Sequence, residues 1–175
     1  MSHGTSEHGT TGARQAVARG QDLFNTKAIT LSGVGGLNNE KFSNDVTLPP
    51  SFSGTCTTCH DTPNAGNHSV KAPLNIGLTD ESRRTPDLPL YTFRRISDGT
   101  TVKTTDPGRA MITGKWADIG KFKGPILRGL AARAPYFHNG MAATLQDVVE
   151  FYDTRFQLRL TDREKADLVA FLQSL

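Results

Sequence analysis

Apolar residues recur with a helical period at both ends of the chain. In "ARQAVARGQDLFNT" (13–26), Ala16, Val17, Gly20, Leu23 and Phe24 fall at i, i+1, i+4, i+7 and i+8, the stripe of an amphipathic helix that Asn25 and Thr26 are suited to end. At the other end, "TDREKADLVAFLQSL" opens with Thr161 as N-cap and has Glu164 three residues later. That is the spacing of a capping box, and Leu168, Val169, Phe171, Leu172 and Leu175 then supply the apolar face. A third helix is predicted over "TLQDVVEFYD" (144–153), with Thr144 as N-cap and Leu145, Val148, Val149 and Tyr152 on one side. Residues 28–55 and 61–125 lack clear β-alternation and are rich in Gly, Pro, Thr and Asp, so long ordered loops are expected there. Short β-pairing is expected only around "LYTFRRISDG" (90–99).

With 175 residues, the chain is long enough for one core and too short for two ordinary domains. Residues 13–175 therefore read as a single domain, and 1–12, small and polar, as a flexible leading segment. No apolar run approaches the roughly eighteen residues a bilayer crossing needs, so no membrane span is expected. "MSHGTSEHGTTG" has no apolar core of a signal peptide. The net charge of +3 falls short of a nucleic-acid footprint. Lys115, Lys121, Lys123 and Arg128 gather in "GKWADIGKFKGPILRG", as a docking face or an ordinary wet one.

The two cysteines, Cys56 and Cys59, lie in "TCTTCHD" (55–61), with His60 directly after the second. A disulfide across two residues closes a very small loop and saves little unfolded-state entropy. A thioredoxin-like pair needs a βαβ setting, and the surrounding Pro, Ser, Asn and Thr-rich sequence does not supply one. Zinc would need four ligands, and Cys56, Cys59, His60 and His68 meet that number only with two ligands adjacent in sequence. Covalent haem uses the whole stretch: each thiol adds across a vinyl group and the histidine turns its imidazole to the iron. One haem c, bound through Cys56 and Cys59 with His60 as axial ligand, is the cofactor the motif predicts. Its large apolar surface also accounts for so loop-rich a chain, and such attachment places the protein in the periplasm.

Two end helices around a CxxCH motif, with a loop and short helix before the last, match the class I cytochrome c fold: mainly α, with long loops around one covalent haem. "GKFKGPILRGLAARAPYFHNGMAATLQDVVEFYDTRF" closely resembles the C-terminal haem domain of the bacterial di-haem cytochrome c peroxidases and of their relative MauG. The family's K-x-P-x-LR-N segment corresponds to Lys123 to Gly129, its "PYFHDG" to Pro135 to Gly140, and its "ATLEEVV" to Ala143 to Val149. With "GTCTTCHD" and "ARGQDLF", the resemblance spans most of residues 13–175. Family enzymes carry two haems, whereas this chain has one CxxCH. The resemblance therefore implies the electron-transfer half of such an enzyme, with a redox partner protein or a second haem domain as its partner.

What fills the iron position opposite His60 decides the chemistry, since thioether raises the potential and phenolate holds ferric iron. The family places its distal ligand fourteen residues after the histidine of "PYFH", which from His138 falls on Tyr152. Tyr152 also lies on the apolar side of its helix, as a core tyrosine would. Met141, in the loop after "FHNG", and Met111, in "DPGRAMITG", are the other candidates. His138 belongs to the signature and is expected to hydrogen-bond near the haem. Arg128 is placed either on a propionate or at the surface. Trp116, the single tryptophan, reads as a packing residue or a step on an electron path, while His3, His8 and His68 fall in polar segments. "GVGG" (33–36) has no helix to make it a phosphate loop, and no HExxH or Ser-His-Asp set stands out. Asp80, Glu81, Asp87 and Asp98 are too scattered for a calcium site. Two functions follow: electron transfer through a six-coordinate haem, or a peroxidase or oxidase acting at an open distal position, with His138 as acid or base. A gas sensor is a third use of the same open site.

Overall fold

The computed structural model describes residues 6–41, 46–60 and 72–175. Four helices carry most of the regular structure: α1 (Ser6–Thr26), α2 (Ala110–Thr113), α3 (Leu145–Phe156) and α4 (Asp162–Gln173). Strands β1 (Ile29–Ser32) and β2 (Ser51–Gly54) form one two-stranded sheet, and β3 (Tyr91–Arg94) and β4 (Thr101–Thr104) another. The fold is thus mainly helical with two small sheets. The β1–β2 sheet lies in a stretch read as loop from sequence. Ile29 and Leu31 of β1 are buried while Thr30 and Ser32 are exposed, an alternation too short to rise above its Gly-rich surroundings.

The chain forms two compact units, one of residues 1–30, 53–69 and 125–175, the other of residues 31–52 and 70–124. In the first unit α1 lies against α4, and α3 against α4. The stripe read on α1 is its inner face: Phe24 joins Leu168, Phe171 and Leu172 of α4 and Leu145 and Val149 of α3 in one cluster, with Leu127, Leu130, Tyr136 and Leu160. Burying each such side chain is worth about 1.5–3 kcal/mol relative to leaving it exposed. Gly20 is where the two helices meet most closely: a Cβ there would lie 2.0 Å from the Asp167 carbonyl oxygen. At the edge of the contact Arg19 grips the Asp167 carboxylate with two parallel bonds of 2.7 Å. Lys165 joins α4 to α3 through Glu150 at 2.6 Å and Asp153 at 2.8 Å.

Both predicted N-caps form. Thr161 Oγ1 accepts from the Glu164 N–H at 3.2 Å while the Glu164 carboxylate accepts from the Thr161 N–H at 2.7 Å. Thr144 and Asp147 make the same reciprocal pair at the start of α3.

The second unit has a smaller core of Leu31, Val34, Leu37 and Leu74, with Thr79, Thr104 and Thr105 also buried. Buried hydroxyls need acceptors, and Thr104 Oγ1 donates to the Thr79 carbonyl at 3.0 Å. β3 and β4 pair antiparallel from Tyr91↔Thr104 to Arg94↔Thr101, within the stretch where pairing was expected. The basic run is not one wet face. Lys121 is buried, with its ammonium 3.2 Å from Glu40 and 3.5 Å from Asp118, whereas Lys115 and, in the first unit, Arg128 are exposed.

Candidate functional site

The site is built on one turn of the first unit. Thr55 is extended, and the chain then closes a 3-10 turn over Cys56–Thr58. The Cys56 carbonyl accepts from both the Cys59 N–H at 3.3 Å and the His60 N–H at 2.9 Å. Thr58 Oγ1 accepts from the Thr55 N–H at 3.0 Å, and the Thr55 and Thr57 hydroxyls bond at 2.7 Å. Thr55, Thr57 and Thr58, in and just before the motif, thus satisfy the turn from within. Cys56 and Cys59 are unpaired thiols, and Cys56 packs against the first unit's hydrophobic cluster.

Burial governs the electrostatics. Desolvation pushes the Cys56 thiol up to about 11, and raises Cys59 by the same cause. It lowers His60 to about 4, against the opposing pull of the Pro125 carbonyl, so the imidazole is neutral at pH 7. His60 Nδ1 is buried with no hydrogen-bond partner.

Aromatic rings surround this imidazole. Phe24 lies 6.4 Å from it, centroid to centroid, and in turn meets Phe171 at 5.4 Å. Tyr152 of α3 stands edge-on to it at 6.4 Å and 77°. The tyrosine is itself boxed by Phe151 at 5.3 Å, Phe156 at 6.1 Å and Phe137 at 6.4 Å. Its hydroxyl is held well above the ordinary tyrosine range, first by desolvation and then by the nearby Cys59 and Cys56.

Of the residues singled out from sequence, the structure brings together Cys56, Cys59, His60 and Tyr152. Met141 is half-buried in the turn after His138, its N–H donating to Asn139 Oδ1 at 3.2 Å. His138 and Arg128 are exposed. Met111 belongs to the second unit and is 72% exposed, as a surface residue of α2. Trp116 is also in that unit, with the Arg95 guanidinium 4.7 Å above its ring. His3 and His68 lie outside the described residues. Sequence reasoning missed Phe24 and Pro125 as neighbours of His60. Phe24 shows in sequence only as part of a core stripe, and Pro125 acts through a backbone carbonyl that any residue carries.

No family model matches the chain, and no solved structure matches it significantly. Curated relatives do. A cytochrome-c peroxidase, IdrP1, of Denitromonas iodatirespirans is 34% identical over 145 residues, covering 71% of this chain and 38% of the relative. The cytochrome c551 peroxidase of Nitrosomonas europaea is 32% identical over 71% of this chain and 31% of its own length. The methylamine utilization protein MauG of Methylorubrum extorquens is 35% identical over 65 residues, 31% of this chain and 18% of that protein. The chain belongs to the di-haem cytochrome c peroxidase/MauG family. It spans 38% and 36% of the length of two of the curated cytochrome-c peroxidases it matches.

Proposed function

We propose that this chain is a haem c electron-transfer domain of class I cytochrome c fold, related to the electron-transfer half of the di-haem cytochrome c peroxidases and working in the periplasm. Cys56 and Cys59 would hold one haem through thioether bonds, His60 would be its axial ligand, and Tyr152 the distal one. Arg128, exposed in the first unit, would meet a propionate. A redox partner protein or a second haem domain would exchange electrons with it.

The observation that carries this reading is the gathering of two free thiols, a neutral buried imidazole and a tyrosine ring at one turn. The donor set fits the group. Both thiols are available for carbon–sulfur bonds, and the orphaned Nδ1 marks an imidazole whose environment is incomplete. Held there, a haem c supplies a one-electron iron centre whose potential follows its axial donors.

The chain's own contribution is then specific. Burial keeps His60 neutral, with a nitrogen lone pair to offer at physiological pH. The Phe24 ring packs against His60, and the Phe137, Phe151 and Phe156 rings pack against Tyr152, the two side chains that would hold the iron. Tyr152, carried on α3 and boxed by three of those rings, is set against His60 by packing. Peroxidase or oxidase action is the second reading, favoured by the names its relatives carry. It requires Tyr152 to leave its place beside His60, and His138, exposed in the adjoining loop, would then be the acid or base.

Optical and EPR spectra of the haem-loaded protein, ferric and ferrous, with and without peroxide, separate the two. A low-spin ferric spectrum unmoved by peroxide supports the carrier. A high-spin component that peroxide consumes would replace it with the enzyme.

A further inference from the structure

Residues 136–142 form a small hairpin of the first unit, and its base is fixed in the core. The Tyr136 N–H donates to the Ala142 carbonyl at 2.7 Å, and both residues belong to the hydrophobic cluster of that unit. The tip is closed locally: the Met141 N–H donates to Asn139 Oδ1 at 3.2 Å, and Gly140 turns with φ +70°. Between base and tip stands Phe137, whose own φ is +63°. For a bulky side chain that left-handed backbone is an outlier, kept only where the surroundings impose it.

The placement of the ring accounts for it. Phe137 reaches α3 with its ring 4.9 Å from Phe151 at 61° and 6.4 Å from Tyr152 at 42°. Edge-on and tilted contacts at these separations are favourable beyond the area they bury. The three phenylalanines around Tyr152 are not equivalent. Phe151 and Phe156 lie on α3 itself, beside the tyrosine and one turn beyond it, and travel with it. Phe137 alone of the three comes from another segment. It is therefore the one that can hold the Tyr152 ring relative to the turn that carries His60, 6.4 Å from that ring.

We propose that Phe137 is a positioning residue for the distal side of the site: held out on a left-handed backbone, its ring keeps Tyr152 turned to His60 and so keeps the iron position that Tyr152 would fill closed to a small anion such as cyanide or peroxide. The inference rests on the haem reading above, with Tyr152 as distal ligand, and adds the residue that decides whether that ligand stays. Phe137 acts through Tyr152.

The test uses the haem-loaded protein, wild type and with Phe137→Gly, Phe137→Leu and Tyr152→Phe, read by the ferric spin state, by cyanide titration and by thermal melting. Glycine adopts a positive φ without cost, so Phe137→Gly keeps the hairpin and removes the ring. This variant is expected to show a high-spin ferric component before any cyanide is present. It should also bind cyanide about tenfold more tightly, because apparent affinity scales with the fraction of protein whose site is open. Phe137→Leu, which keeps apolar bulk without a flat ring, should fall between. A lower melting temperature with wild-type spin state and cyanide affinity would overturn the proposal and leave Phe137 a packing residue only. So would faster cyanide binding at unchanged affinity and spin state, the signature of a simple barrier. If Phe137→Gly does not fold, Phe137→Leu decides by the same readings. Wild-type protein that takes up no covalent haem, or a Tyr152→Phe spectrum identical to wild type, would overturn the underlying reading and this one with it. A Tyr152→Phe spectrum that changes while both Phe137 variants match wild type would overturn this one alone.

Discussion

Tyr152 meets the His60 imidazole edge-on, ring centroids 6.4 Å apart, although the two residues come from α3 and from the turn that closes the cysteine motif. Three phenylalanines fix the tyrosine from its other sides. That contact turns a count of fourteen residues from His138 into a physical neighbour of His60. It also defines the first experiment on the site.

Tyr152→Phe keeps the ring and its packing and removes only the hydroxyl. The variant is expected to lose less than about 1.5 kcal/mol of stability. Its ferric spectrum should nevertheless change and its reduction potential rise, because a phenolate donor favours ferric iron. An unaltered spectrum would take Tyr152 off the iron and pass the role to half-buried Met141, which Met141→Ala then tests.

Covalent attachment is read most directly by mass. Cys56→Ala and Cys59→Ala should each leave one thioether, and the double substitution should release all haem into acidified organic solvent. Retention of haem by the double variant would contradict the assignment of both thiols.

The α1–α4 contact makes two glycine substitutions in one helix go in opposite directions. Gly20→Ala forces a Cβ to 2.0 Å from a backbone oxygen of α4, and overpacking of that kind costs about 1–3 kcal/mol or more. Gly12→Ala meets nothing within 4 Å and should stabilise the helix by about 0.5–1 kcal/mol. Urea unfolding of both variants measures the difference, and equal midpoints would show that α1 does not approach α4 as described.

Acid should unfold the protein through its paired carboxylates. The bonds from Arg19 hold the Asp167 carboxyl below its ordinary range, and the Thr161 N–H, with Lys27, does the same for Glu164. A depressed folded-state pKa contributes stability above the unfolded value, near 4, and loses it as pH falls through the folded value. Stability is therefore expected to be level from about pH 5 upward and to fall below about pH 4. Asp167→Asn should lower it at pH 7 and flatten the acid limb; an unchanged limb would mean that the pair with Arg19 does not form in solution.

Local chemistry decided much of this protein in advance. The stripes of α1, α3 and α4 and the caps at Thr144 and Thr161 depend on residues within a turn or two of one another, and they formed as read. Cys56, Cys59 and His60, within five consecutive positions, were likewise legible in the sequence as a candidate haem site. What surrounds the motif was not legible, because it is set by packing between segments far apart in the chain. Sequence could count to Tyr152 by resemblance, but only folding puts it beside His60. The Pro125 carbonyl carries no side-chain signature. Lys121, one cation among four in a basic run, is buried only because Glu40 and Asp118 come to it from elsewhere in its unit. Period and motif are properties of neighbours in sequence; burial, and the shifted acidities of His60 and Cys56 that follow from it, depend on neighbours in space.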